Sequence, residues 1–219
     1  MSLNGRRQAF RVIGSGLFVA AASSLGAKTP DTKSAGGVCE VTKNGDGSMV
    51  IESAKEESRI KVGNDAFMLR RNTKIELTSD GVSTKTLKLI SGAVMGVFGG
   101  GEKQIITKTC ALGIRGTGLY LHEYGDDAVY ACLCYGEAGY YPIGKNEEKM
   151  SLKSRYHDKP VLLTRSKSGE LGIRDDKTHN HTDDELRELE KMCGRTPPFE
   201  EWLERQRLFE SFDPYKSSN

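Results

Sequence analysis

The sequence predicts a mainly β protein, either an antiparallel β-sandwich or a short β-solenoid-like domain, followed by a C-terminal helical tail. Three observations predict it. Short apolar segments of alternating polarity recur every 8–12 residues between residues 49 and 141, with turn residues between them. The chain holds 25 glycines and a single Trp, a composition suited to many turns and short strands. From residue 182 onward the apolar period changes from two to between three and four, the spacing of a helix face.

Residues 1–27 have the three parts of an export signal: a basic head with Arg6, Arg7 and Arg11, an apolar stretch over 12–25, and small residues at its end. The stretch is broken by Gly14, Ser15 and Gly16 and is too short for a comfortable membrane span. Arg6-Arg7 with Phe10 behind them resembles the twin-arginine export signal, with one extra residue before the phenylalanine. Cleavage is expected within 22–27, and Cys39 lies too far from the apolar run to serve as a lipoprotein cysteine. Residues 28–47, rich in Gly, Thr, Lys and Asp, read as a linker.

Strands are expected at 49–51, 59–62, 66–69, 74–78, 84–90 and 93–98, with turns at Gly63-Asn64-Asp65, Arg71-Asn72, Ser79-Asp80-Gly81, Ser91-Gly92 and Gly99-Gly100-Gly101. The stretch 103–136, KQIITKTCALGIRGTGLYLHEYGDDAVYACLCYG, organises the domain. It reads as a strand, a glycine-marked corner at Gly113-Ile114-Arg115-Gly116-Thr117-Gly118, a new strand over 119–124, a turn at Gly125-Asp126-Asp127 and a returning strand over 128–135. No dinucleotide fingerprint or phosphate loop occurs, because the glycine cluster at 96–101 has no following Lys-Ser/Thr and no helix to open.

Within this region TKTCALGIRGT resembles the T-x-x-A-x-x-G-V-R-G-T signature of FecR-type domains, the periplasmic domain of the ferric-citrate regulator family. LKLISGAVMGVFGGGEKQIITKT resembles that family's lead-in, and VYACLCYGEA stands where the family has its following strand. The resemblance spans roughly residues 59–141, so 48–141 is expected to be a FecR-like β domain. It implies the domain type and an envelope setting. Sigma-factor regulation is not implied, because only the export signal precedes the domain. Cys110, Gly118 and the Cys-x-Cys pair of the returning strand depart from the family pattern.

After Tyr141 a β/loop extension is expected over 142–181, with strands at 150–156, 160–164 and 171–173. A helical tail follows over 182–219. Thr182 and Glu185 form a capping box, Asp183 and Asp184 suit the helix dipole, and Leu186, Leu189, Met192 and Cys193 make the apolar stripe ahead of Gly194. Pro197-Pro198 opens a second helix carrying Phe199, Trp202 and Leu203. The tail either packs across the β domain and protects an edge or presents Phe199 and Trp202 to a partner.

Cys132 and Cys134, two apart on a strand, turn their thiols to one face beside Tyr130, while Val129, Ala131 and Leu133 take the other. Two same-face thiolates make half of a soft-metal site. Three of the four histidines, His157, His179 and His181, fall within 25 residues downstream and can supply the rest. Asp158 and Asp183 are the candidate carboxylate supports. Cys132, Cys134, His157 and His181 are therefore the candidate ligands of a thiophilic ion such as Zn or Cu. The competing readings are half-buried structural thiols and a disulfide from Cys110 to Cys132 or Cys134, which an oxidising compartment favours.

A net charge of +2 gives no general electrostatic attraction for nucleic acid or an anionic membrane. The paired carboxylates lie in charged loops, and no nucleophile–base–acid order stands out, so a non-enzymatic protein is expected. The combined expectation is an exported, periplasmic, FecR-like protein that binds or senses an envelope ligand or protein, with no stable transmembrane span after signal removal. The alternative is a metal- or redox-binding periplasmic protein built on the Cys-x-Cys/His cluster.

Overall fold

The computed structural model describes residues 8–12, 32–34, 37–145, 147 and 149–211. The expected export signal lies outside the described residues except for 8–12.

The strands run β1 (Gln8–Val12), β2 (Thr32–Ser34), β3 (Cys39–Lys43), β4 (Met49–Ser53), β5 (Ser58–Val62), β6 (Asp65–Leu69), β7 (Lys74–Ser79), β8 (Thr84–Ser91), β9 (Ala93–Val97), β10 (Glu102–Ile106), β11 (Cys110–Glu123), β12 (Ala128–Pro142), β13 (Met150–Ser154), β14 (Lys159–Arg165) and β15 (Leu171–Asp175). Two helices follow, α1 (Asp183–Met192) and α2 (Glu200–Ser211). The mainly β class with helices at the C-terminus is as the sequence predicts. The expected linker over 28–47 differs in two places: Thr32–Ser34 is a strand paired with β5, and Cys39–Lys43 is a strand, with Cys39 and Val41 buried, because its short alternation finds a partner in β4.

The strands join one open, twisted sheet that folds over on itself into two layers, with β1 and β2 at its two ends. All pairings are antiparallel except β8 with β10. The fold-over is made by the two longest strands. The first half of β11 pairs with β10, and its second half pairs with β9. β12 likewise pairs first with β14 and then with β13. The glycine-marked corner of the sequence is therefore not a break between two strands. It is an irregularity inside one strand, with the β11–β12 register slipping between Arg115 and Gly118 and Gly116 taking a φ of 56°.

The layers enclose one core that takes Ile51, Ile75, Leu77, Leu87 and Leu89 from one side and Ile60, Phe67, Leu69, Leu121 and Leu163 from the other. A second apolar layer lies outside it. Ala66 and Met68 of β6, Met95 and Val97 of β9, Tyr120 of β11 and Tyr130, Cys132 and Cys134 of β12 all face outward and are covered by Leu186, Leu189 and Phe199 of the tail. β6 and β9 are accordingly buried along their whole length rather than alternately. The tail thus covers a sheet face and not an edge. Phe199 is fully buried and so is not presented to a partner, while the half-buried Trp202 packs on Tyr156 with ring centroids 5.3 Å apart.

Polar anchors fix the tail. The capping box forms: Thr182 Oγ1 accepts from Glu185 N, and Glu185 accepts from Thr182 N at 2.8 Å. The same Glu185 carboxylate takes a two-pronged contact from Arg70 of the sheet, at 2.6 and 2.9 Å, and Arg70 also donates to Asn180 O at 2.7 Å. At the far end of α1, the buried Glu190 accepts from Tyr135 Oη and from Arg195 Nε. Arg195 in turn donates to Asn64 O at 2.6 Å.

Candidate metal centre

Strand β12 sets the two thiols. Its pleat sends Val129, Ala131 and Leu133 into the sandwich and Tyr130, Cys132 and Cys134 outward, as the sequence indicates. Because the tail covers this face, both cysteines are fully out of water.

The turn between β13 and β14 supplies His157. Asp158 closes the turn by accepting from Arg155 N at 2.6 Å and contacting Ser154 Oγ, and His157 N donates to Cys134 O at 2.9 Å. His157 takes a φ of 49°, a left-handed conformation that is uncommon outside glycine. The strap leading into α1 supplies His181, after Asn180 with a φ of 62°. His181 stacks on Tyr120, with centroids 4.7 Å apart and planes 19° from parallel.

One ligand atom from each of Cys132, Cys134, His157 and His181 lies within 4.8 Å of all the others. His157 Nδ1 is 3.2 Å from His181 Nε2 and 3.4 Å from Cys132 Sγ. For a tetrahedral zinc ion, bond lengths of about 2.0–2.1 Å to nitrogen and about 2.3 Å to sulfur imply N···N near 3.4 Å and N···S near 3.6 Å. His157 stands at close to that spacing from both His181 and Cys132, and Cys134 lies within 4.8 Å of all three.

The opposite ring nitrogens are committed elsewhere. His157 Nε2 is 3.1 Å from Asp183 Oδ1, and His181 Nδ1 is 2.8 Å from His179 O. A carboxylate and a carbonyl only accept, so both nitrogens donate, and the neutral rings turn two lone pairs toward each other. An ion between them resolves that opposition. Without one, a proton must be held there.

The charge pattern agrees. Cys132 is held down at about 3, first by the hydrogen bond from the Cys134 thiol, with burial opposing and with His157 and His181 adding to the effect. Cys134 is pushed up, first by burial and then by the neighbouring Cys132. Burial alone would lower His157, but Cys132 and Asp183 outweigh it and raise it. The surroundings therefore favour the thiolate at Cys132, the thiol at Cys134 and the charged ring at His157. Two thiolates would neutralise a divalent ion, which suits a buried position.

Cys132, His157 and Asp183 also stand in nucleophile–base–carboxylate order. The sulfur is fully buried under the tail, where it favours a closed site over attack on a substrate.

The carboxylate support differs in one respect from the sequence reading. Asp183 serves His157 across the fold, while the adjacent Asp158 is spent on its own turn. His179 stays outside the cluster, its Nε2 3.1 Å from Tyr124 Oη. The Cys110 disulfide does not form. Cys110 lies opposite Pro142 in the β11–β12 register, whereas Cys132 lies opposite Tyr120, and Cys110 belongs to the inner core. All five cysteines are free thiols. Sequence reasoning missed Tyr156, whose hydroxyl donates to Asp183 Oδ2 at 2.7 Å, and Arg70, which locks the strap through Asn180 O. Neither carries a local signal, since each acts on residues more than 25 positions away.

No protein-family profile matches this chain, and no curated protein matches it. Among solved structures, it is similar to the crystal structure of a proposed anti-sigma factor from Parabacteroides distasonis, with a TM-score of 0.47 and 10% identity over 59% of this chain. The chain spans 61% of that structure's length.

Proposed function

We propose that this chain is a non-catalytic, metal-binding β-sandwich protein whose Cys132, Cys134, His157 and His181 hold one thiophilic ion, Zn²⁺ in the first place. The ion clasps the C-terminal tail to the sheet, because two of its ligands come from β12 and one from the strap that opens α1. The observation that carries this reading is the approach of His157 Nδ1 to 3.2 Å from His181 Nε2, each ring oriented by an acceptor on its far side. That is how histidine ligands are normally held for a metal. Four protein ligands with no open position make a structural site rather than a hydrolytic one.

The FecR-like resemblance and the Arg6-Arg7 head support an exported protein of the cell envelope as the setting. Among the described residues no helix is long and apolar enough to cross a membrane. Export of an Arg6→Lys/Arg7→Lys variant at the normal level would remove the twin-arginine part of this reading.

The metal reading is tested by elemental analysis of the full chain purified without chelators, beside a Cys132→Ser/Cys134→Ser variant. One equivalent of Zn in the parent, absent from the variant, is the expected result. One equivalent of copper would keep the site and change the ion. A metal-free parent whose melting temperature nevertheless drops in the variant would assign the thiols to packing and overturn the proposal.

A further inference from the structure

The tail covers only one half of the outer sheet face, the half that carries Tyr120, Tyr130, Cys132 and Cys134. On the other half, β11 and β12 run between β10 and β13. Leu112, Ile114, Ala138 and Tyr140 point into the core there, so Gly113, Arg115, Glu137, Gly139 and Tyr141 take the outer side. This half is the floor of an open cleft of about 680 Å³. That volume is in the range of small-ligand sites.

The strand register builds the cleft in rows. Glu102, Arg115 and Glu137 lie side by side across β10, β11 and β12. In the next row stand Gln104, Gly113, Gly139 and Ser151, so the two middle strands carry no Cβ and the floor is backbone alone. The Tyr141 ring leans over this gap, its Cε2 3.5 Å from the place a Gly113 Cβ would take. Gly113 is exposed and Tyr141 half-buried, and both line the cleft.

The charges of the lining are balanced. Lys103 is buried and donates to Gly99 O and Gly100 O, at 2.8 and 3.1 Å, while Lys85 pairs with Asp80 at 2.8 Å. Arg115 and Lys145 then stand against Glu102 and Glu137. A phosphate-bearing ligand would call for a surplus of cationic donors, and an apolar one for a lining without charge. A neutral sugar fits both features present. Its hydroxyls donate and accept at once, so carboxylate, amide and guanidinium can all be satisfied, and its C–H face packs on an aromatic ring.

We propose that this cleft binds a neutral oligosaccharide of pyranose rings, packed on Tyr141 and hydrogen-bonded by Glu102, Gln104 and Arg115. The proposal is independent of the metal cluster, which lies under the tail on the other half of the face.

The test uses the full chain with chitotriose and maltotriose as probes, read by saturation-transfer NMR for contact and by calorimetric titration for affinity. Binding of at least one probe by the parent is the expected result. Arg115 is exposed, so Arg115→Ala should keep the parent's melting temperature and weaken binding roughly tenfold. Tyr141→Leu keeps apolar bulk beside Gly113 and should also weaken binding roughly tenfold. Binding of neither sugar by the folded parent would overturn the proposal, as would parent-like affinity in both variants. Displacement of the sugar by inorganic phosphate would make the cleft an anion site and overturn it as well.

Discussion

Asp183 joins the candidate centre to the start of the tail helix, which makes its removal informative. Its Oδ1 accepts from His157 Nε2 at 3.1 Å and its Oδ2 from Tyr156 Oη at 2.7 Å, and it stands in the first turn of α1. In Asp183→Ala both contacts vanish, and a neutral His157 is free to carry its proton on the nitrogen that faces the cluster. Loss of such a supporting group lowers metal affinity about 10–100-fold, or about 1.4–2.7 kcal/mol. Asp183→Asn keeps an oxygen for His157 and turns its amide toward Tyr156 Oη, so only the charge is lost, and the effect should fall near the tenfold end. Without metal, either change costs about 0.3–1 kcal/mol through the helix dipole, and Asp183→Ala adds about 0.5–1.5 kcal/mol for each of its two lost hydrogen bonds. A competition titration of Zn²⁺ against a chromophoric chelator, paired with urea unfolding of the metal-free forms, measures both. Zn²⁺ affinity unchanged in Asp183→Ala would refute the placement of Asp183 behind the ligand, as would an equal stability loss with and without metal.

The pH response should have opposite signs in the two forms. His157 is raised above its ordinary 6.5. In the metal-free protein its contribution to stability is complete below that ordinary value and is lost as pH rises through the raised one. The bound ion needs the unprotonated ring, so Zn²⁺ affinity should instead fall as pH drops through the same range, measured by the same competition titration. Gly118→Ala should destabilise the fold by about 1–3 kcal/mol in urea unfolding, because a Cβ there would lie 2.3–2.9 Å from three ring atoms of Tyr135, whose hydroxyl anchors Glu190. Phe199→Ala removes a fully buried ring that packs on Tyr135, Tyr156 and His157, at a cost of about 3–5 kcal/mol, and should make the tail cleavable by protease before the sheet unfolds.

The sequence by itself determined what local chemistry can determine. Alternation along 128–135 assigned the two faces of β12 and put Cys132 and Cys134 on the same side, because a strand's period is fixed by its backbone. Thr182 and Glu185 marked the start of α1, because a capping box satisfies its amides within four residues. The scarcity of histidine, together with its concentration downstream of the thiols, was enough to name the same four side chains that the fold gathers. Only the tertiary structure decided the pairings that span the chain. It joined the two halves of β11 into one strand through a bulge, since unbroken pairing with β12 keeps more backbone groups bonded than a corner would. It separated Cys110 from Cys132 by register, and it gave His157 its carboxylate from Asp183 rather than from the neighbouring Asp158. The outward face of β12 carries cysteine and tyrosine because a helix covers it, and no local pattern states which face a helix 50 residues away will choose.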